Sequence, residues 1–203
     1  MLEFCNACAT RQQDCSLFVA GFKNTDLGLS ILQNHFVCSI CGHTHEGLPA
    51  DWAYTLPDVV WTIPAEARAE AAHFTDDLCD YGGRFFIRGL LLVPFLEAQG
   101  SFGWGVWAEV DLSVFMRYLD FYDADGTNEP PLEGTLANEL PAYASSAGSP
   151  LKIQFQTQTE RPAFILRQED FGRLASEQRG GMDSARYHEV LEAIEAGRNK
   201  GRS

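Results

Sequence analysis

Two apolar segments in the middle of the chain limit its possible folds more than any other feature. Residues 84–96 are rich in Phe, Ile, Leu and Val and follow the turn-forming pair Gly82 and Gly83, which is typical of a strand that leaves a hairpin turn. Residues 101–112 have a similar composition and follow after a short connection. The two segments therefore predict two neighbouring strands of one sheet.

Alternation within the second segment assigns its residues to two faces. Phe102, Trp104 and Val106 share one face because successive side chains of a strand point to opposite sides. Gly103 and Gly105 lie on the other face, where the missing side chains allow another backbone to approach closely. We expect the aromatic face to be buried and the glycine face to be covered by a neighbouring segment.

Trp107 has two interpretations. It belongs to an aromatic run with Phe102 and Trp104 at strand spacing, which favours a place in the core because large aromatic side chains dominate sheet packing. The alternative is a partner-binding patch, in which Trp107 is exposed beside the flat surface of Gly103 and Gly105.

The flanking segments carry helix and strand signals. Pro64 precedes a run of strong helix formers, Ser113 is a candidate N-cap, and either Asp183 or Ser184 can cap the last helix. The predicted elements are helices after Pro64, after Ser113 and up to Gly197, strands at 152–156 and 163–167, and a loop at 123–148. Strands in the middle and helices at the flanks predict an α+β fold, with a mainly antiparallel sheet flanked by helices.

Composition and charge exclude several classes of protein. The chain has 203 residues, of which 45% are hydrophobic, enough for one globular domain. No apolar run is long enough for a membrane helix, so no membrane partner is expected. The formal net charge of -13 repels phosphate, so nucleic acid is not expected either. Arg88 and Arg161 are expected to pair with the many carboxylates, with anion binding as the alternative.

The acidic side chains are concentrated in one part of the chain. Residues 105–150 contain 8 acidic residues and 1 basic residue. One interpretation is a solvated acidic face that aids solubility. The other is a docking surface for a basic partner protein, whose approach such a field would accelerate. The sequence does not determine the oligomeric state.

The first residues carry no export signal, since Glu3 stands where a basic residue is expected. This predicts a cytoplasmic protein, in which cysteines stay reduced and serve as metal ligands or buried thiols. Residues 1–35 are predicted to be an N-terminal extension, and residues 36–203 a single α+β zinc-binding domain. The cysteines are Cys5, Cys8, Cys15, Cys38, Cys41 and Cys79.

The densest chemical signal is a zinc knuckle near the N-terminal side of this domain. Cys38 and Cys41 are separated by two residues, so both can face one ion across a tight turn, and Gly42 lets the backbone curl behind them. A tetrahedral Zn²⁺ needs two more ligands, for which His45 and Cys79 are the best candidates. The sequence therefore predicts a structural Zn²⁺ site formed by these two pairs of residues.

Other ligand sets stay open at this point. His43 can replace His45, because both follow the knuckle closely. Cys5 and Cys8 form a second pair that can complete a four-cysteine site with the pair at Cys38, although the gap between the two pairs is longer than in most zinc ribbons. The remaining interpretation is a set of reduced, buried thiols without a metal.

Several motifs follow one another along the chain from about residue 37 to residue 181. They are Cys38-x-x-Cys41-Gly42-x-x-His45-Glu46-Gly47-Leu48-Pro49, Asp77-Leu78-Cys79, Phe85-Phe86-Ile87-Arg88-Gly89, Phe102-Gly103-Trp104-Gly105-Val106-Trp107, Pro141-x-Tyr143 and Arg161-Pro162. This series resembles a bacterial family known only as domain of unknown function 2199. The resemblance implies the same knuckle, histidine and later cysteine as ligands, but no activity. It also implies that the first 35 residues are an extension and that a histidine is usual where this chain has Phe171.

A site closed by three thiolates and one imidazole leaves no position for water and is structural. The sequence therefore predicts a small zinc-stabilised domain that binds a partner protein, for which a basic protein is one candidate. It would act as a regulator, an inhibitor or an immunity-type protein. The immunity-type role is based on size, acidity and the lack of catalytic motifs. An enzyme is the less favoured interpretation. In that alternative, a zinc-dependent hydrolase, water replaces Cys79 and Glu46 acts as general base.

Overall fold

The structure is a computed structural model of the chain that describes residues 35–37, 44–46, 51–167, 169 and 172–200. All of these residues belong to one compact unit, Asn34–Ser203. The strands are β1 (His35–Val37), β2 (Thr44–Glu46), β3 (Asp51–Ala53), β4 (His73–Phe74), β5 (Leu78–Tyr81), β6 (Arg84–Pro94), β7 (Ser101–Val110), β8 (Leu132–Leu136), β9 (Pro150–Gln154) and β10 (Ala163–Leu166). The helices are α1 (Asp58–Trp61), α2 (Ala65–Ala71), α3 (Leu112–Asp120), α4 (Arg173–Gly180) and α5 (Ser184–Lys200).

Five strands close into a barrel in the order β6-β7-β8-β9-β10, with β10 returning to β6. Four of the five pairings are antiparallel, including the long β6–β7 hairpin, in which Leu91 lies opposite Trp104. The closing pair is parallel, with Ala163 opposite Leu90. The predicted α+β fold with a mainly antiparallel sheet is therefore confirmed, whereas the closure into a barrel was not predicted.

Three further strands extend the sheet beyond the barrel. β3 pairs in parallel with the first half of β7, while β5 pairs with the first half of β6 and β4 with β5. Gly105 permits the approach of β3, because a Cβ atom at this position would lie 3.0 Å from the Cβ of Ala53. The close backbone approach predicted for this glycine face is confirmed.

The main core fills the barrel, and helices cover both of its ends. The even-numbered side chains of β7 point into this core and are buried, which confirms the predicted alternation. At the end where β6 begins, Phe115 of α3 packs on Phe85 with ring centroids 5.2 Å apart. At the end where β6 finishes, Tyr187 of α5 packs on Phe95 at 5.3 Å.

A smaller core lies on the outer face of the β6–β7 hairpin. Trp107 is 0% exposed in this cluster, and its indole N–H donates to the carbonyl oxygen of Tyr54 at 3.2 Å. The core interpretation of Trp107 is therefore confirmed, and the exposed patch is wrong. The buried members of the cluster are Leu56, Val60, Ala72, Cys79, Phe86 and Trp107.

The helix boundaries differ from the prediction at two points. α3 begins two residues earlier than expected, with Asp111 rather than Ser113 at the N-cap position. Asp183 does precede α5 as predicted, and its carboxylate accepts a hydrogen bond from a backbone amide of the first turn at 2.8 Å. The helix continues through Gly197 to Lys200, because one glycine weakens a long helix without ending it.

Several elements were not predicted, among them β8 and α4. β8 lies inside the segment expected to be a loop, where Gly134 dilutes the strand pattern. That glycine is required, because a Cβ there would lie 2.8 Å from the carbonyl oxygen of Glu109 on β7. α4 is a short helix of mostly polar residues.

No helix in the described part of the chain is long and apolar enough to cross a membrane. The predicted division of the chain into domains at residue 35 stays a prediction.

Candidate metal site

The segment that carries the cysteine pair is bracketed by a two-stranded antiparallel sheet. β1 and β2 pair with Val37 opposite Thr44, Phe36 opposite His45, and His35 opposite Glu46. The chain therefore leaves β1 and returns in β2 with only residues 38–43 between them. Cys38, Cys41 and His43 lie in this interval, outside the described residues.

His45 and Glu46 lie on β2, directly after that interval. The backbone places His45 across from the residue two positions before Cys38. His45 is thus separated from that interval by one residue, Thr44, and its role as the third ligand stays a prediction.

Cys79 lies on β5, between Phe74 of β4 and Phe86 of β6. It is 1% exposed and belongs to the smaller core. Burial raises the pKa of its thiol to about 12, with a further contribution from the charge of Asp80. Zinc binds the thiolate, so a metal at this position would have to displace the thiol proton.

A network of hydrogen bonds fixes the start of β5, two residues before Cys79. The Asp77 carboxylate accepts a hydrogen bond from Nε of Arg161 at 2.6 Å and one from the Tyr122 hydroxyl at 3.2 Å. The Asp77 carbonyl accepts from the amide of Arg88 at 2.9 Å. The ion pairing predicted for Arg161 is confirmed, and the guanidinium of Arg88 donates to the carbonyl of the neighbouring Asp76 at 3.2 Å.

The structure does not test the ligand set as a whole. Within the described residues, no three His, Cys, Asp or Glu side chains lie close enough together to hold a metal ion. Cys79 is the one proposed ligand whose side chain is described. The roles of Cys38, Cys41 and His45, and the alternatives with His43 or with Cys5 and Cys8, therefore stay predictions.

The sequence interpretation missed a cluster of charged side chains between α4 and α5, in which Arg186 and Glu177 are largely buried and Arg173 and Glu189 are exposed. Nε of Arg186 lies 2.8 Å from Oε1 of Glu177 and its NH1 lies 2.8 Å from Oε2 of Glu189. Arg173 contacts the same two glutamates at 3.2 and 3.8 Å. The Tyr143 hydroxyl donates to Oε2 of Glu177 at 2.5 Å. Two arginines and two glutamates thus form a closed ring of alternating charge.

A cleft of about 320 Å³ lies against this ring, with Leu96 and Met182 among its apolar walls. The charged groups of the ring residues that line the cleft form ion pairs with one another. Burial, followed by the hydrogen bond to Glu177, raises the pKa of Tyr143 well above its usual value, so its hydroxyl stays protonated. The cluster therefore joins α4, α5 and the loop after β8.

Little in the sequence pointed to this cluster. Tyr143 stands in one of the motifs that carry the resemblance, but Glu177 and Arg186 lie on two different helices. Nothing in the spacing of a single chain indicates that two such residues meet. Such an ion pair depends on how two helices pack together, which the periodicity of either helix does not determine.

The fold defines a small α+β barrel domain. The pair of strands β1 and β2, with Cys38 and Cys41 in the segment that connects them, precedes β3. A family model described as an uncharacterized protein conserved in bacteria (DUF2199) matches residues 37–182. The chain belongs to this family, and the resemblance noted in the sequence is confirmed. No curated protein and no solved structure matches the chain.

Proposed function

We propose that this protein is a zinc-stabilised domain that works by binding another protein. In this proposal, Cys38, Cys41, His45 and Cys79 hold a structural Zn²⁺. The observation that supports the metal site is the pairing of Val37 with Thr44, which leaves only six residues, 38–43, between the two strands. Two cysteines separated by two residues are the usual half of a structural zinc site.

The donor set suits Zn²⁺ in a closed site. Three thiolates and one imidazole complete a tetrahedron and leave no position for water. Such a metal contributes folding free energy on the order of 10 kcal/mol, by analogy with zinc-finger peptides. The hairpin that carries the first three ligands is held by only three residue pairs, and an isolated hairpin of this size is marginally stable without further contacts.

Metal analysis of the purified full chain tests this proposal. We expect about one zinc per chain in the wild type, loss of zinc in Cys38→Ser, and loss in Cys79→Ser with a lower midpoint of thermal unfolding. Cys15→Ser is the matched control, because it removes a thiol that the proposal does not use. Zinc retained by Cys79→Ser with an exchangeable water would instead favour the hydrolase with Glu46 as general base.

Partner binding is supported by apolar side chains exposed beside uncompensated carboxylates. The strongest case is on α3, where Leu112 and Met116 are exposed in the most acidic part of the chain. A regulator, an inhibitor or an immunity-type protein would all use such a surface. Affinity capture with the zinc-loaded chain should recover one partner at a fixed stoichiometry, and recovery of none under any growth condition would contradict this part of the proposal.

A further inference from the structure

One face of α3 carries apolar side chains that the fold leaves uncovered. Phe115 and Tyr118 point into the barrel core and are buried. Leu112 and Met116 lie one turn apart on another side of the helix and are 52% and 43% exposed. Residues four apart are neighbours on a helix surface, so these two side chains form one small apolar patch.

Three aspartates flank this patch along the chain. Asp111 precedes Leu112, Asp120 stands one turn after Met116, and Asp123 follows the end of the helix. All three aspartates are exposed. We call the apolar pair and these three aspartates the α3 surface.

The basic side chain nearest this surface in sequence is already neutralised. Arg117 lies 2.6 Å from Oε2 of Glu129 and 3.7 Å from Oδ2 of Asp120. Asp111 and Asp123 form no ion pair within the described part of the chain. Residues 105–150 contain 8 acidic residues and 1 basic residue, so the field of this segment is negative even after Arg117 is counted.

An apolar patch with carboxylates beside it favours a partner that is both positively charged and partly apolar. The negative field attracts a positive chain and accelerates its approach, while the apolar pair provides area that a purely charged partner cannot use. Methionine adapts its shape to different apolar groups and is common at binding surfaces of this type. A basic segment with apolar side chains on one face satisfies both conditions.

Building on the proposed function, we propose that the α3 surface is where this protein binds its partner, and that the partner presents a basic amphipathic segment. The apolar side chains of that segment contact Leu112 and Met116, and its lysines or arginines face Asp111 and Asp123. The proposed docking surface thus lies on α3, the helix that covers the end of the barrel where β6 begins.

A peptide probe tests this surface directly. The probe is a labelled helical peptide of lysine and leucine with one apolar face, compared with a lysine and serine peptide of equal charge, and binding to the zinc-loaded full chain is measured by fluorescence anisotropy. Leu112→Ser/Met116→Ser should weaken binding of the lysine and leucine peptide by about fivefold and leave the other peptide unchanged. Asp111→Asn/Asp123→Asn should weaken both peptides, more at low salt.

A matched control separates this surface from net charge alone. Glu66→Gln/Glu70→Gln removes the same two charges from the exposed side chains of α2 and should leave both affinities within about twofold. Equal weakening by the α2 variant would overturn the proposal, as would an unchanged affinity in Leu112→Ser/Met116→Ser. So would self-association of the wild type that this double variant abolishes, since the occupant would then be a second copy.

The proposed function does not depend on the α3 surface being the binding site. If affinity capture recovers a stoichiometric partner equally well with Leu112→Ser/Met116→Ser, the α3 surface is wrong and partner binding stands. If zinc and partner are both absent, the proposed function itself is wrong, whatever the peptide does.

Discussion

Arg186 and Glu177 form an ion pair with a distance of 2.8 Å between Nε and Oε1, and their side chains are only 10% and 12% exposed. The guanidinium also donates to the carbonyl of Ala142 at 2.9 Å and lies over the ring of Tyr143 at 4.8 Å. Every charged group of the pair thus has a partner, as a buried charge requires. The pair joins the two helices that cover one end of the barrel.

Breaking this pair should destabilise the protein strongly. Arg186→Met leaves the buried Glu177 carboxylate with fewer partners, and we expect the free energy of unfolding to fall by about 3 kcal/mol. Arg186→Met/Glu177→Met should cost less than the sum of the two single changes, because no unpaired charge remains. Urea unfolding measures both, and additive losses would contradict the buried pair. Arg84→Met, at an exposed pair, is the control and should cost about 1 kcal/mol or less.

Gly89 should not tolerate a side chain. An added Cβ would lie 2.4 Å from the ring of Phe164 and 2.7 Å from the carbonyl oxygen of Pro162, where β6 meets β10. We expect Gly89→Ala to lower the free energy of unfolding by about 2 kcal/mol through overpacking. Gly180→Ala is the control, since no atom lies within 4 Å of its added Cβ, and it should be neutral or slightly stabilising. Equal effects of the two changes on thermal unfolding would show that the barrel does not close here.

Asn138 holds the smaller core to the barrel. Its carbonyl oxygen accepts from the amide of Trp107 at 2.8 Å, and its amide group donates to Leu56 at 3.0 Å and to Asp58 at 2.8 Å. Asn138→Leu leaves these buried groups without partners, so we expect a loss of about 3 kcal/mol. Asn128→Leu, at an exposed position of the loop after α3, should change stability by less than about 0.5 kcal/mol. A loss of that small size at Asn138 would contradict the network.

Arg84 and Glu109 predict a specific pH dependence. Two hydrogen bonds from Arg84, at 2.7 and 2.6 Å, lower the pKa of Glu109 below its ordinary value of 4.5. The resulting stabilisation is present above pH 4.5 and is lost as the pH falls through the lower pKa of the folded state. The difference in stability between wild type and Arg84→Met should therefore be constant near neutral pH and vanish in acid. A difference that grows in acid would contradict this sign.

The sequence predicted local features well where side-chain patterns decide them. The alternation of Phe102 and Trp104 with glycine identified both the core face of β7 and the face that β3 approaches, because period two is a direct consequence of strand geometry. The N-cap of α3 was misplaced by two residues, since Asp111 and Ser113 have similar capping propensities. Boundaries of this kind depend on tertiary contacts as much as on the residue type.

Contacts between residues that are far apart in the sequence were not predicted. Closure of the barrel pairs Ala163 with Leu90, and no pattern in either strand specifies that neighbour. The ring around Arg186 and Glu177 has the same origin, because the residues come from separate helices. For the metal site, the sequence supplied the four candidate ligands, and the structure adds the strand pairing around residues 38–43 and the burial of Cys79.

The most direct test of the zinc site is X-ray absorption at the zinc edge, measured on the purified full chain. We predict a first shell of three sulfurs at about 2.3 Å and one nitrogen at about 2.0 Å, with no oxygen. In Cys79→Ser the sulfur count should fall by one. A shell of nitrogen and oxygen alone, or a wild-type chain that binds no zinc, would contradict a structural site built from Cys38, Cys41, His45 and Cys79.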